Sequence, residues 1–328
     1  MNLILSIMQN SPKIIKLKKL FCIINTDDPY SISRIKFPQE LEKYSPIHGM
    51  GMTYVGDLFC AGIIPFRERL TSLLLTINLS TGNKNINKLF LTKAVHGIFG
   101  LDNYRLLANS TQTDQLVEVV LLEKDEIEFV DIVFNFNKIK IKNILEPKDI
   151  IGYRAIEKFD DKFHINSVCV HDKKIYFTQF RDFNYESSGM ISYIDDSGYY
   201  PIKTNLNHPH SVYADSKGNI LLCDSANFKV INLTAGWEVE CEGYTRGICE
   251  DKGKGGYWVG ASSYRKFSKT ENKWVRFYRE DIPRFKFAQL HFITYDGILK
   301  ETILLDAFKV KEIFEIIEKK DGDWGKLT

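Results

Sequence analysis

The 328-residue chain has no apolar run close to the roughly 18 to 20 residues that a membrane span needs. It has no excess of one charge either: 44 Lys and Arg stand against 42 Asp and Glu, for a formal net charge of +2. The first absence argues against a membrane protein and the second against a nucleic-acid partner. The one basic cluster, Lys13 to Lys19, reads as a solvated face. Cysteine is sparse and unpaired in sequence. Cys22, Cys60, Cys169, Cys223, Cys241 and Cys249 form no CxxC pair and mostly sit in apolar runs, as buried reduced thiols of a cytoplasmic protein would. The opening MNLILSIMQN is broken by polar residues, and its positive charges follow the apolar stretch, the reverse of a secretory signal. A nucleophile elbow, a phosphate loop, a dinucleotide fingerprint and an HExxH pair are all missing. The common Ser-hydrolase, nucleotide-binding and metalloprotease chemistries are therefore disfavoured.

What is present is β-forming and repetitive. Apolar residues make up 44% of the chain, with 16 Tyr and 22 Phe, which suits a large sheet-rich core. Five segments share one pattern: HGMGMTYVGDLFCAG from His48, HGIFGLDNYRLLANS from His96, NSVCVHDKKIYFTQF from Asn166, HSVYADSKGNILLCDS from His210 and RGICEDKGKGGYWVGAS from Arg246. In each, a polar residue precedes Gly or Ser, then an apolar strand, a turn and a second strand, which is a hairpin. Two further short strands fit between repeats, so each unit has the four-strand content of a propeller blade. The starts lie 48, 70, 44 and 36 residues apart, and the long interval leaves room for an excursion over 136–162.

A sixth unit can be assembled from the two ends. Val310 to Lys320 supplies one strand, although a helix-like period competes over 308–319, and Phe21 onward supplies two outer strands. The expectation is an all-β, six-bladed β-propeller, with five or seven blades left open and the last blade closed by both termini. Residues 1–20 are expected as an N-terminal extension and 21–328 as the single propeller domain.

Inner strands of a propeller line a central channel, so the repeat brings its first residues to one mouth. Aligned on Gly or Ser, these are His48, His96, Asn166, His210 and Arg246, with Glu312 in sixth place. Two residues earlier stand His164, His208 and Tyr244. The far ends of the second strands return Asn109, Gln179, Arg181, Asp224, Asn227, Ser262 and Arg265 to the same mouth. Neutral imidazoles are common transition-metal ligands, so His48, His96, His210, Asn166 and Glu312 form a candidate site for zinc, iron or manganese. Arg246, His164, His208 and Tyr244 are candidate catalytic groups; Asn109, Arg181, Asp224 and Arg265 are candidates for substrate contact. A metal-free anion-binding channel and purely structural histidines remain alternatives, because turns into inner strands also use polar residues. His171 and His291 fall outside the ring.

The segment HPHSVYADSKGNILLCDSANFKVINL, from His208, resembles an NHL-type propeller repeat. VHGIFGLD, FHINSVCV, HPHSVYAD with LLCDS, and GYTRGICE with WVGASSYRK together resemble a bacterial family of propeller proteins without an assigned reaction. The similarity covers about half the chain and implies the fold and the channel site, with Ser167 in place of the family's Gly. By analogy with other propellers, histidine-rich channels point toward metal-using lyases more than toward lactonases, whose metals are held mostly by Asn, Asp and Glu. The reading is a metal-dependent lyase or hydrolase acting on a small anionic or sugar-like substrate. The alternative is a non-enzymatic propeller that binds a glycan or protein partner.

Overall fold

The computed structural model describes residues 1–7, 20–29, 31–36, 41, 47–65, 72–89, 92–122, 127–135, 161–181, 188–262, 265–268, 273–276, 287–306, 310 and 312–324. They form an all-β, six-bladed propeller of six four-stranded antiparallel sheets. The inner strands of blades 1 to 5 are Ile47–Val55, Val95–Gly100, Ile165–His171, Pro209–Ala214 and Tyr244–Asp251. Ile313–Glu318 is the inner strand of blade 6, and it is a strand despite its competing helical period. Each inner strand packs beside the next, and the last returns to the first, so the ring is closed. Among the described residues no helix is long and apolar enough to cross a membrane. The excursion expected over 136–162 lies outside the described residues except for Asp161 and Lys162.

Blade 6 is closed by both ends of the chain. Its inner strand pairs with Asn2–Ile7, which pairs with Phe21–Asn25 and then Ile32–Arg34. The division at residue 20 is therefore corrected. Leu3, Ile4 and Leu5 are wholly buried, because this stretch fills the second place in the blade. Blade 5 carries an inserted hairpin, Arg265–Ser268 paired with Lys273–Arg276, between its second and third strands. All six cysteines are buried free thiols.

The small residue of the repeat has a packing cause. A Cβ on Gly51 would meet the backbone N of Ile98 at 2.7 Å and Cα of Gly97 at 2.8 Å; one on Gly97 would meet Cα of Ser167 at 3.0 Å. Neighbouring inner strands thus approach until their backbones touch. Where Ser replaces Gly, its hydroxyl is used across the same gap: Ser167 Oγ accepts the Val212 N–H at 3.0 Å, and Ser211 Oγ accepts that of Gly247 at 2.8 Å. Gly51→Ala should cost about 1–3 kcal/mol, since the obstructing atoms are backbone and cannot rotate away. A urea midpoint equal to wild type would contradict this close approach.

These contacts also fix the true register of the repeat. The inner-strand bulges lie between Gly49 and Met52 in blade 1 and between Val95 and Ile98 in blade 2. Gly51, not Gly49, is thus the counterpart of Gly97, and Met50 is the counterpart of His96. Likewise the Ile313 carbonyl accepts the Ser262 hydroxyl as those of Ile165 and Thr245 accept Thr111 and Ser225, which makes Phe314 the counterpart of Asn166 and Arg246. The ring is Met50, His96, Asn166, His210, Arg246 and Phe314. His48 and Glu312, expected in it, instead occupy the layer two residues earlier, with Ala94, His164, His208 and Tyr244.

Candidate functional site

The outer layer is built on unusual backbone. Ala94, His164 and His208 all have left-handed φ, at 56°, 56° and 52°, as each chain turns into its inner strand. Only a few per cent of non-glycine residues adopt this conformation, and His is among the more tolerant. Three backbone N–H groups, of Lys162, Phe163 and His164, bond to the buried Asp114 carboxylate and hold the turn into blade 3.

A second device stitches blades together and explains one residue that the repeat pattern missed. Directly after the second strand, Thr111 Oγ1 donates to the Ile165 carbonyl at 2.6 Å. Ser225 Oγ donates likewise to Thr245 at 2.6 Å, and Ser262 Oγ to Ile313 at 3.2 Å. In blade 3 the same position is Phe180, facing the blade that starts with Pro209. Its ring stacks between two imidazoles: 4.6 Å from His164 at 23° and 4.6 Å from His208 at 14°. It also meets the edge of His210 at 5.0 Å.

Each imidazole of this cluster is oriented by a specific partner. His164 Nδ1 lies 2.9 and 3.0 Å from the two Asp161 carboxylate oxygens. The carboxylate can only accept, so Nδ1 carries the proton. Burial pushes Asp161 upward, but the bond and charge of His164, together with Arg181, hold its carboxyl below the ordinary value. His208 Nδ1 meets the Tyr244 hydroxyl at 3.2 Å. His210 Nδ1 faces the His208 carbonyl at 2.8 Å and Ser225 Oγ at 2.9 Å, while its Nε2 accepts from Arg246 at 3.0 Å. Arg246 lies 4.9 Å from the ring centres of both Tyr244 and Phe314, a cation held between aromatic faces. Phe314 in turn touches the edge of His96 at 5.5 Å.

His96 completes the mouth. Its Nδ1 lies 2.9 Å from Asn166 Oδ1, while the Asn166 amide N–H donates to the His164 carbonyl at 3.2 Å. His96 is half-buried. Burial, then nearby His164, pushes its pKa down to about 3, against the Asn166 bond that favours the charged form. Burial and Arg246 likewise lower His208 to about 4 and hold His210 well below the ordinary range. These imidazoles are neutral at physiological pH.

The metal set expected from sequence does not assemble. Among the described residues, no three His, Cys, Asp or Glu side chains are placed to share an ion. His48 and Glu312 stand in the other layer, both His210 nitrogens are engaged by protein groups, and Asn166 spends its amide on His96 and His164. The donor set does not fit the proposed ion.

Several expected substrate contacts are structural. Asn109 is wholly buried; its Oδ1 accepts from the His96 and Gly97 N–H groups and its Nδ2 donates to the Ile165 carbonyl at 2.7 Å. Asp224 accepts from the Asn207 N–H at 2.6 Å and from Asn227 Nδ2 at 2.8 Å. Ser262 is the blade staple, and Gln179 is wholly buried, donating to the Arg181 carbonyl at 2.6 Å. Arg181 Nη1 donates to the carbonyls of Asp161 at 3.0 Å and Lys162 at 3.3 Å, which places it behind the Asp161 dyad. Arg265 lies in the blade 5 hairpin, and its side chain is outside the described residues. His291, outside the mouth as expected, is fully buried with Nδ1 2.9 Å from Thr302 Oγ1.

The neutral imidazoles make stability acid-sensitive. Unfolded His titrates near about 6.5, so below that pH the unfolded chain binds protons that folded His96, His208 and His210 refuse, and stability falls as pH drops toward 4. Three carboxyls oppose this: burial raises Asp114 to about 6 and Glu315 to about 7 and lifts Asp224 as well, so each gains from acid. The three histidines should prevail, lowering the urea midpoint between pH 7 and 4.5, with a shallower fall in His208→Gln. An unchanged or rising midpoint would refute the neutral cluster.

No protein-family model matches the chain, and no curated protein matches it. Solved structures of similar fold do. A chain of a nidogen/laminin complex is 9% identical, with 97% of this chain and 98% of that one covered and a TM-score of 0.59. A protein of unknown function from Bacteroides caccae is 10% identical over 96% and 97%, with a TM-score of 0.51. A putative 6-phosphogluconolactonase from Bacteroides fragilis is 8% identical over 96% of both chains, with a TM-score of 0.51. The likeness is one of β-propeller fold.

Proposed function

We propose that the protein is a lyase or hydrolase that works by general acid–base catalysis on a small anionic molecule at the channel mouth. The observation that carries this reading is the Asp161–His164 dyad. The carboxylate fixes a proton on Nδ1, so Nε2, on the far side of the His164 ring from its partner, is the atom placed to act as the base. Within the same cluster, Arg246 supplies the charge to hold an anion, and its place between Tyr244 and Phe314 fixes its direction. His208 with Tyr244 is the second titratable pair, available to return a proton to a departing oxygen.

In this mechanism His164 Nε2 removes a proton from a carbon beside the bound anionic group, or from a water that attacks an ester carbon. The electron pair passes into the new double bond or the new C–O bond, and the leaving oxygen is protonated from the Tyr244–His208 side. Both faces of Phe180 are covered by imidazoles, so that ring offers no platform for stacking a sugar, which weighs against a glycan receptor at this point.

The test is a panel of small carboxylates with β-leaving groups, and of carboxylate-bearing esters, followed by product formation with wild type and His164→Gln. Turnover by wild type, reduced at least a hundredfold in the variant, is expected. Binding without turnover by a folded protein would make the mouth a receptor. Stoichiometric transition metal, lost together with activity on chelation, would overturn the metal-free acid–base mechanism.

A further inference from the structure

Phe180 stands where three other blades place a hydroxyl. Thr111, Ser225 and Ser262 each donate to a carbonyl of the following blade, and a phenyl ring cannot. An aromatic stack and a neutral hydrogen bond contribute comparable stability, so the ring is not explained as a better staple. What it does that a hydroxyl could not is fill the space between His164 and His208 without offering either of them a hydrogen bond.

The ring is fixed to the His164 side by its own backbone. Phe180 N–H donates to the Phe163 carbonyl at 2.9 Å and to that of His164 at 3.3 Å, and Arg181 N–H donates to Phe163 at 3.3 Å. Arg181 Nη1 adds bonds to the carbonyls of Asp161 and Lys162, so residues 180 and 181 brace the turn that carries Asp161 and His164. From that brace the ring extends to blade 4, with His164 on one face and His208 on the other, each centre 4.6 Å away and within 23° of parallel. The edge of His210 closes a third side at 5.0 Å.

Parallel stacking decides where the imidazoles can bond. The hydrogen-bonding directions of an imidazole nitrogen lie in the ring plane, so in this stack they run alongside Phe180 and neither imidazole reaches the other through it. His164 and His208 occupy the same layer of neighbouring blades with the same left-handed backbone. With a small residue at position 180 they would be free to turn toward each other and share one proton. Held apart, each keeps a partner at its own edge: Asp161 for His164 at 2.9 Å, the Tyr244 hydroxyl for His208 at 3.2 Å.

We infer that Phe180 is a positioning residue: it insulates His164 from His208, so that the Asp161–His164 pair and the Tyr244–His208 pair keep separate protons. This rests on the preceding reading only in assigning those two pairs to proton transfer. The insulation itself belongs to the resting protein and is measured without a substrate.

The test reads the imidazoles directly, in ¹⁵N spectra of the full chain, where the two nitrogens of each ring report which of them is protonated. Asp161→Asn in the otherwise unchanged chain should displace the His164 signals and leave the His208 pair in place, because the ring blocks the path between them. Phe180→Thr, which installs the hydroxyl type that blades 2, 4 and 5 carry, should melt cooperatively and show a new N–H···N coupling between His164 and His208. Phe180→Tyr, which keeps the ring, should show none and return the wild-type spectrum. Where turnover is found, Phe180→Thr should lower kcat about tenfold or more with KM little changed, a part of what a general base contributes. A His208 proton that changes nitrogen in Asp161→Asn, or a folded Phe180→Thr without the coupling, would overturn the inference. Should Phe180→Thr fail to fold, the Asp161→Asn spectrum decides alone. Insulated imidazoles in a protein that turns nothing over would leave Phe180 its role while the acid–base mechanism fell. Turnover undiminished in Phe180→Thr despite the new coupling would remove His164 from the chemistry and leave the insulation standing.

Discussion

A chain stopped after Leu305, and so lacking the strand Ile313–Glu318, is expected to lose its cooperative thermal transition and to be digested rapidly by proteases. That strand is the inner strand of blade 6, yet its sheet partner, Asn2–Ile7, comes from the far end of the sequence. It also packs against the inner strands of blades 5 and 1, so it closes the ring as well as the blade. Ile313, Phe314 and Ile316 are almost completely buried in it. At about 1.5–3 kcal/mol for each such side chain, these three rival the total stability of about 5–15 kcal/mol typical of a domain. Removal would also bare sheet edges on both sides of the gap. A truncated protein melting at the wild-type temperature would show that closure is dispensable.

Closure was legible because both half-blades have ordinary strand patterns, but the length of the N-terminal half was not. The stretch Asn2–Ile7 is apolar at four of its six positions, three of them in a row, since it is a second strand buried on both faces. Without period-two alternation it reads as a bare apolar run, and the basic cluster after it separates it from Phe21. The same ambiguity did not trouble the middle blades, where inner strand, turn and second strand follow in immediate succession.

The ring of mouth residues was read correctly where the small residue is unique and wrongly where it is duplicated or replaced. HGMG offers two glycines, and the His48–Gly49 pair mimics His96–Gly97. Counting back from the following turn resolves the choice: Gly51, Gly97, Ser167, Ser211 and Gly247 stand five residues ahead of the turn residues Gly56, Asp102, Asp172, Ser216 and Lys252. Blade 6 has no such turn, because its inner strand leads by pairing to the opposite end of the chain, and Glu315 occupies the small-residue position. Phe314 therefore had no local signal.

Side-chain roles were less accessible than positions. Asn109 and Asp224 have the residue types of a binding site and the right placement, but the Asn109 amide is consumed by backbone groups and the Asp224 carboxylate by the Asn207 N–H and the Asn227 amide. Phe180 was invisible for the opposite reason, since an aromatic after a strand is expected in any β-rich core. What marks it is departure from a pattern: three blades place a hydroxyl there, and the fourth places a ring between two histidines.

The largest effect on turnover, once a substrate is in hand, is expected from Asp161→Asn. The wild-type carboxylate only accepts hydrogen bonds, so His164 must carry its proton on Nδ1 and expose Nε2 as the base. An asparagine amide can turn its N–H toward Nδ1, which then accepts, and the proton moves to Nε2, where it blocks catalysis. Loss of a correctly oriented base generally costs about 10²–10⁴ in rate, so kcat should fall by that order while KM changes little, because Arg246 still holds the anion. His164→Gln should fall as far, and the double variant little further, since the two residues act as one unit. Arg246→Lys should show the complementary split, with KM raised more than kcat is lowered, because Lys keeps the charge but loses the planar group held between Tyr244 and Phe314. Asp161→Asn retaining wild-type kcat would remove His164 from the chemistry and leave the Tyr244–His208 pair as the base.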